Sequence, residues 1–344
     1  MFLFYLSSGL FLGWVSGANY MGNVFGTALG TRMLSFTSAA IICAVFIVLG
    51  AVFSGGGTAA TIAGLGSVAT MSGAFVVALA AALAIFVMVK LELPVSSTQA
   101  IFGGIIGWAL FEGSKVDFSI LLQILASWVA SPFLSAIFAI ILMSLIKVYL
   151  KYFPIPLLYQ DLYIRIALVL TGAFGAYTLG ANNIGNIVGV FLTSSPFRDV
   201  TLFEGVVFSA EKQLFLIGGL AIALGVFTYS KRLINMIGKK VFLLTPMAAW
   251  VVVMSHSLVM LLFASQSLHA FLSEHNLPTI PLVPISSSEA VIGAVVGIAI
   301  LKKGRGLRPK YLGRIAMGWV ICPALALMFA FLLMLIKAFL PALP

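Results

Sequence analysis

Gly17-Ala18-Asn19-Tyr20-Met21-Gly22-Asn23 returns 163 positions later as Gly180-Ala181-Asn182-Asn183-Ile184-Gly185-Asn186. Five of the seven positions are identical: Gly, Ala, Asn, Gly and Asn. Each copy sets glycines and asparagines into a stretch that is otherwise almost wholly apolar. Glycine weakens a helix by roughly 1 kcal/mol relative to alanine, and a buried amide is costly unless something pairs with it. A chain that carries both features twice, in the same order, uses those amides.

The surroundings of the phrase fix the class of protein. Hydrophobic residues make up 62% of the 344 and charged residues only 8%, with a mean hydropathy of +1.18. A soluble domain carries about a quarter charged residues, so the chain is read as a polytopic, all-α protein of the lipid bilayer. The net charge of +10 sits in loops between apolar runs. That placement is an orientation signal and excludes a nucleic-acid partner. Cys43 and Cys322 lie within apolar runs and imply no disulfide framework. The apolar N-terminus lacks a basic leader region and is read as a retained first span.

A span needs about 20 apolar residues. The runs that qualify are 2–30, 35–54, 69–90, 118–150, 162–193, 204–228, 241–264 and 311–340. Two further segments, 94–111 and 284–301, are apolar but open with a hydroxyl cluster after a proline. They are read as re-entrant turns running into helices at the midplane. Each half then makes five crossings, which predicts two inverted-topology repeats, 1–155 and 156–344.

Loop charge gives an independent indication. The loop 55–68 is uncharged, whereas its second-half counterpart carries Lys231, Arg232, Lys239 and Lys240. The loop 112–117 holds Glu112, Lys115 and Asp117; its counterpart holds Lys302, Lys303, Arg305, Arg308 and Lys310. With both termini outside the cell membrane, every basic residue except Lys115, Arg198, Lys212 and Lys337 falls on the cytoplasmic side. Other phrases repeat too. Pro94-Val-Ser-Ser-Thr-Gln-Ala matches Pro284-Ile-Ser-Ser-Ser-Glu-Ala at an offset of 190, and Trp128-Val-Ala-Ser-Pro132 matches Trp319-Val-Ile-Cys-Pro323. The polar stretch Ser265–Pro281, with His269, Glu274 and His275, is read as a solvated cap.

Proline followed by three hydroxyls and an apolar helix is a natural helix start. Ser96, Ser97 and Thr98, and likewise Ser286, Ser287 and Ser288, can cap a first turn. The free N–H groups and positive dipole end of such a helix favour an anion. Two of them, brought inward from opposite faces, form a pocket for a small tetrahedral oxyanion. Asn19, Asn23, Asn182 and Asn186 supply the other wall, with N–H donors for the anion and carbonyl oxygens for a cation. Asn19 and Asn182 are thereby candidate sodium ligands. Each motif also has a plainer role: asparagine holds membrane helices together, Gly22, Gly26 and Gly30 make a packing seam, and Ser-Ser-Thr caps a helix. Both motifs occurring in both halves favours a site.

Glu289 is the carboxylate inside a motif, with Gln99 as its neutral counterpart. An acid at membrane depth is a functional candidate, so Glu289, Gln99 and Asn183 are taken as the coupling residues. Glu92 and Glu211 adjoin Lys90 and Lys212 and are assigned to interfacial pairing. Arg32 and Arg198 end spans, and His256 is taken as a packed, hydrogen-bonded histidine. No His/Asp/Glu cluster and no nucleophile–base pair supports an enzyme.

At these motifs the sequence resembles the inorganic phosphate transporter (PiT) family over nearly its whole length. The resemblance implies inverted repeats, a midplane phosphate site, and coupling to sodium or protons. Two departures stand out. The family's aspartate after Gly-Ala-Asn is Tyr20 and then Asn183, and the histidine of the hairpin motif is Gln99 and then Glu289. Phosphate near neutral pH carries a hydroxyl that wants an acceptor, whereas sulfate carries none. The resemblance therefore places phosphate first, as the cargo of a cation-coupled symporter. The lost aspartates make a sulfate permease the alternative, and a passive anion channel is the alternative from another class. The sequence is also compatible with a homo-oligomer.

Overall fold

The computed structural model describes residues 2–66, 68–91, 93, 95–203, 206–231, 234, 244–304 and 309–339. Glu92, Pro94 and the basic residues Arg232, Lys239, Lys240, Arg305 and Arg308 lie outside them. The first half consists of α1 (Phe2–Gly30), α2 (Phe36–Ser54), α3 (Gly56–Leu65), α4 (Met71–Lys90), α5 (Ser97–Glu112) and α6 (Phe118–Tyr152). The second consists of α7 (Leu157–Val188), a 3₁₀ turn (Gly189–Phe191), the strands β1 (Val200–Phe203) and β2 (Val206–Phe208), α8 (Ala210–Thr228), α9 (Pro246–Ala264), α10 (Gln266–Glu274), α11 (Ser287–Leu301) and α12 (Pro309–Phe339).

The hydroxyls and one carboxylate in the sequence set where helices begin. Ser35, Thr70, Asp117, Ser209 and Thr245 each accept a hydrogen bond from a backbone N–H in the first turn of the helix that follows. Gly113, left-handed at φ 67°, ends α5. Seven helices among the described residues are long and apolar enough to cross a membrane. The expected first span is one continuous helix, yet it falls outside those seven, because its asparagines, serines and glycines lower its hydropathy.

Two expected stretches are corrected, and the polar cap gains a helix. The uncharged stretch 55–68 is largely the helix α3, seated against α7 with Thr58 Oγ1 donating to Ala181 O at 3.0 Å. The run expected over 204–228 includes the strand β2, paired antiparallel with β1 just before it, and its helix starts only after Ser209. The polar cap contains the short helix α10, whose His269 ring lies 2.8 Å from Ile280 O.

The same packing occurs twice with the halves exchanged. α2 lies against α7 and α8 against α1; α5 lies against α12 and α11 against α6; α4 lies against α12 and α9 against α6. The close contacts show it residue by residue. A Cβ on Gly17 would strike the carbonyl of Ile222, and one on Gly180 the carbonyl of Ile47. Gly103 sits on Pro323, and Gly293 on Pro132. The proline-bearing helices α6 and α12 form the outer wall, with 22% of each spanning window buried against 67% in α4 and α9. Phe133, Ile137 and Ile141 on α6, and Val320, Met328 and Leu332 on α12, point outward as a lipid-facing surface. The seam read at Gly22 and Gly26 is not a packing seam among the described residues, since nothing lies within 4 Å of a Cβ at either.

Candidate functional site

Both hairpin segments arrive extended and turn into helices at buried serines. Ser96 Oγ accepts from Gln99 N at 3.3 Å, and Ser286 Oγ accepts from Glu289 N at 3.4 Å, so these two hydroxyls are the caps. The next two hydroxyls of each motif are therefore free to look elsewhere. Thr98 Oγ1 donates to Ile285 O and Ser288 Oγ donates to Val95 O, both at 3.1 Å. These two bonds are counterparts at the 190-residue offset, and each ties one hairpin to the extended segment of the other. Between them Gln99 Nε2 donates to Glu289 Oε1 at 2.6 Å. Gln99 and Glu289 are themselves counterparts, so they meet where the two hairpins face each other.

The Gly-Ala-Asn phrases clamp this arrangement. Asn19 Nδ2 donates to Val95 O at 2.8 Å. Asn182 holds its hairpin at both ends, with Nδ2 donating to Val283 O at 3.2 Å and Oδ1 accepting from Ile285 N at 2.8 Å. The last asparagine of each phrase crosses to the hairpin of the other half. Asn23 Nδ2 donates to Ser287 Oγ at 2.8 Å; Asn186 Nδ2 donates to Thr98 Oγ1 at 3.0 Å and to Ser97 Oγ at 3.4 Å. Asn183 Nδ2 donates to Leu179 O of its own helix at 3.1 Å, while its Oδ1 accepts from Asn186 at 3.0 Å.

The structure thus brings together every residue that the sequence singled out for the site: Asn19, Asn23, Asn182, Asn183 and Asn186 with Ser96, Ser97, Thr98, Gln99, Ser286, Ser287, Ser288 and Glu289. All are buried except Asn23, which is partly exposed. Two more residues belong to the cluster. The Tyr20 hydroxyl lies 2.6 Å from Ser97 Oγ, and His256 Nε2, from α9, lies 3.0 Å from Ser287 Oγ. His256 is hydrogen-bonded, as expected, but its partner is a hairpin serine. The signal that could have marked it was a lone histidine in an apolar run facing a hydroxyl motif.

The electrostatics are one-sided. Glu289 is 3% exposed, and the one ion pair among the described residues is Arg165–Asp161, far along α7. The pairing expected for Glu211 with Lys212 does not form; Glu211 instead lies in the first turn of α8, where a carboxylate suits the helix dipole. Glu289 Oε2, Gln99 Oε1 and Asn186 Oδ1 are buried oxygens with no hydrogen-bond partner among the described residues. A buried carboxylate without a countercharge is strongly disfavoured. The cluster therefore combines serine and amide donors, which suit an anion, with bare oxygens that suit a proton or a cation.

Comparison with known proteins points one way. A sequence profile described as the phosphate transporter family matches residues 16–273 and 275–342. A protein of Methanocaldococcus jannaschii named as a candidate phosphate permease is 24% identical over 323 residues, covering 94% of this chain and 93% of its own length. One of Pyrococcus furiosus with the same description is 24% identical over 397 aligned residues, covering 91% of this chain and 90% of its own. Among solved structures, one titled "The sodium-dependent phosphate transporter" superposes with a TM-score of 0.75 at 22% identity, over 97% of this chain and 99% of that one. That likeness establishes a shared fold.

Proposed function

This chain belongs to the phosphate transporter family, and from that premise we propose that it carries inorganic phosphate across a membrane as a cation-coupled symporter. The observation that carries the reading is the cross-tied pair of hairpin starts, Ser96–Gln99 and Ser286–Glu289, gripped by Asn19, Asn23, Asn182 and Asn186. Two helix N-termini and several neutral N–H and O–H donors make a wall that suits a multiply charged oxyanion without supplying a fixed positive charge. The halves 1–155 and 156–344 act as inverted repeats, both termini lie outside the plasma membrane, and alternating access rocks the hairpins against the outer helices. The exchanged packing of the two halves supports this arrangement.

Coupling runs through Glu289. A carboxylate buried among neutral groups is carried across the membrane far more readily once a cation or a proton neutralises it. The unpartnered oxygens of Glu289, Gln99 and Asn186 support that location for the coupling ion. Asn182 Oδ1 already accepts from Ile285 N–H, so a sodium ion bound through Asn19 and Asn182 shares that oxygen with the hairpin. The structural relative titled as sodium-dependent supports sodium; Glu289 serves a proton equally well. Uptake of radiolabelled phosphate and sulfate into proteoliposomes tests the reading. Phosphate accumulation driven by an imposed sodium or proton gradient is expected. Sulfate accumulation without phosphate would identify a sulfate permease, current without counterflow exchange would identify a channel, and no transport of either anion would refute the proposal.

A further inference from the structure

A serine hydroxyl has one proton to donate and two lone pairs to fill. At Ser287, one lone pair accepts from Asn23 Nδ2 at 2.8 Å. The second neighbour is His256 Nε2 at 3.0 Å, on a ring that is fully buried. The tautomer follows from what the other ring nitrogen meets. His256 Nδ1 has no partner among the described residues. With an oxyanion in the site to accept from Ser287, a proton on Nδ1 still buries an orphaned N–H, the rarer and costlier defect, whereas a proton on Nε2 leaves only a lone pair bare. An imidazolium would bury an unpaired charge as well. The proton therefore sits on Nε2 and is donated to Ser287. Both lone pairs of Ser287 are then filled, and its own proton has no acceptor among the described residues.

The other hairpin reaches the same state by different means. Ser97 Oγ lies 2.6 Å from the Tyr20 hydroxyl, and the phenol is the better donor of the two. Asn186 Nδ2 donates to Ser97 from 3.4 Å. The Ser97 proton is left with Asn183 Oδ1 at 3.5 Å, the outer limit of a hydrogen bond. Asn183 stands where Tyr20 stands in the first copy, but its amide is bonded to Leu179 O of its own helix. The second copy thus has no ring donor of its own, and His256 provides one from α9.

We propose that His256 and Tyr20 are positioning residues that lock Ser287 and Ser97 as obligate hydrogen-bond donors to the transported oxyanion. The inference rests on the proposed phosphate reading for the identity of that anion. Its consequence is a division of labour. The locked serines can donate to phosphate oxygens but cannot accept from the anion, so any hydroxyl of the anion must turn its proton to the bare acceptors Glu289 Oε2, Gln99 Oε1 or Asn186 Oδ1. Without the lock, each serine can rotate and spend its proton on an asparagine or tyrosine instead.

The test is phosphate uptake by the full chain in proteoliposomes. His256→Phe keeps a ring but removes the N–H, and should raise KM about tenfold, the worth of one hydrogen bond to a charged partner, with Vmax within about twofold. His256→Gln can place an amide N–H where Nε2 stood and should restore KM to within about twofold. In a Ser287→Ala background, His256→Phe should have no further effect. Tyr20→Phe, which removes one oxygen and leaves the ring, should raise KM as His256→Phe does and serves if the latter fails to assemble. Unchanged KM in both Phe variants would overturn the inference, as would equal damage from Gln and Phe at 256, or multiplicative losses with Ser287→Ala. Wild-type phosphate uptake alongside those results would leave the transport reading intact, whereas a wild type that moves no phosphate would remove both.

Discussion

The two copies of the seven-residue phrase share their glycines and differ at two central positions, Tyr20/Asn183 and Met21/Ile184. Gly17 and Gly180 do the same work, each admitting the backbone of a helix from the opposite half. Asn23 and Asn186 likewise each reach a hairpin serine across the halves. At Tyr20 and Asn183 the copies part: one ring hydroxyl bonds Ser97, while the other side chain turns back to its own helix. Where backbone must pass backbone, geometry leaves no alternative to glycine, so the repeat is kept. Where a side chain only has to orient a hydroxyl, different residues from different helices can do it, so the repeat is free to drift.

The largest effect should come from breaking the shared part. Gly17→Ala and Gly180→Ala each drive a methyl into a carbonyl, Ile222 O or Ile47 O. Overpacking of this kind costs about 1–3 kcal/mol or more, so both variants should lose folded protein in a thermal unfolding scan in detergent. If one survives, the two seats are not equivalent. Next is the residue pair at the centre. Glu289→Gln leaves two neutral amides facing each other; it should abolish accumulation of phosphate against its gradient while equilibrium exchange persists. Accumulation with an unchanged ion and pH profile would take Glu289 out of the coupling.

The clamping asparagines should separate by the number of bonds they make. Asn182 holds its hairpin through two hydrogen bonds and Asn19 through one. At about 1 kcal/mol for each bond lost, Asn182→Ala should lower uptake more than Asn19→Ala, by roughly an additional factor of five. Equal losses would mean that the amides act on the anion directly. The smallest effect belongs to Asn183→Ala. It removes two bonds within one helix, to Leu179 O and from Asn186, and a weak acceptor for Ser97; Asn186 keeps its bonds to Thr98 and Ser97, so uptake should change by no more than about twofold.

Much of this was written in the sequence because it is set by local chemistry. The hydroxyl after each proline motif had to cap a helix, and Ser96 and Ser286 do. The repeated asparagines had to find partners at membrane depth, and all of them do. What the sequence hid depends on long-range packing. The stretch 55–68 looked like a loop because Gly55-Gly56-Gly57 carries no helix signal; it is helical because α7 and Thr58 hold it there. His256 looked like packing because nothing near it in sequence hints that α9 brings its ring to Ser287. The strands before α8 follow the same pattern, since their pairing is visible only once Val200 lies opposite Phe208.

The central claim is that an oxyanion is held between the two hairpin starts by Ser97 and Ser287. Calorimetric titration of phosphate into the purified full-length protein, beside the Ser97→Ala/Ser287→Ala variant, tests it most directly. Saturable phosphate binding by the wild type is expected, with loss of that binding in a double variant that still unfolds cooperatively. Equal phosphate binding by both proteins would contradict it.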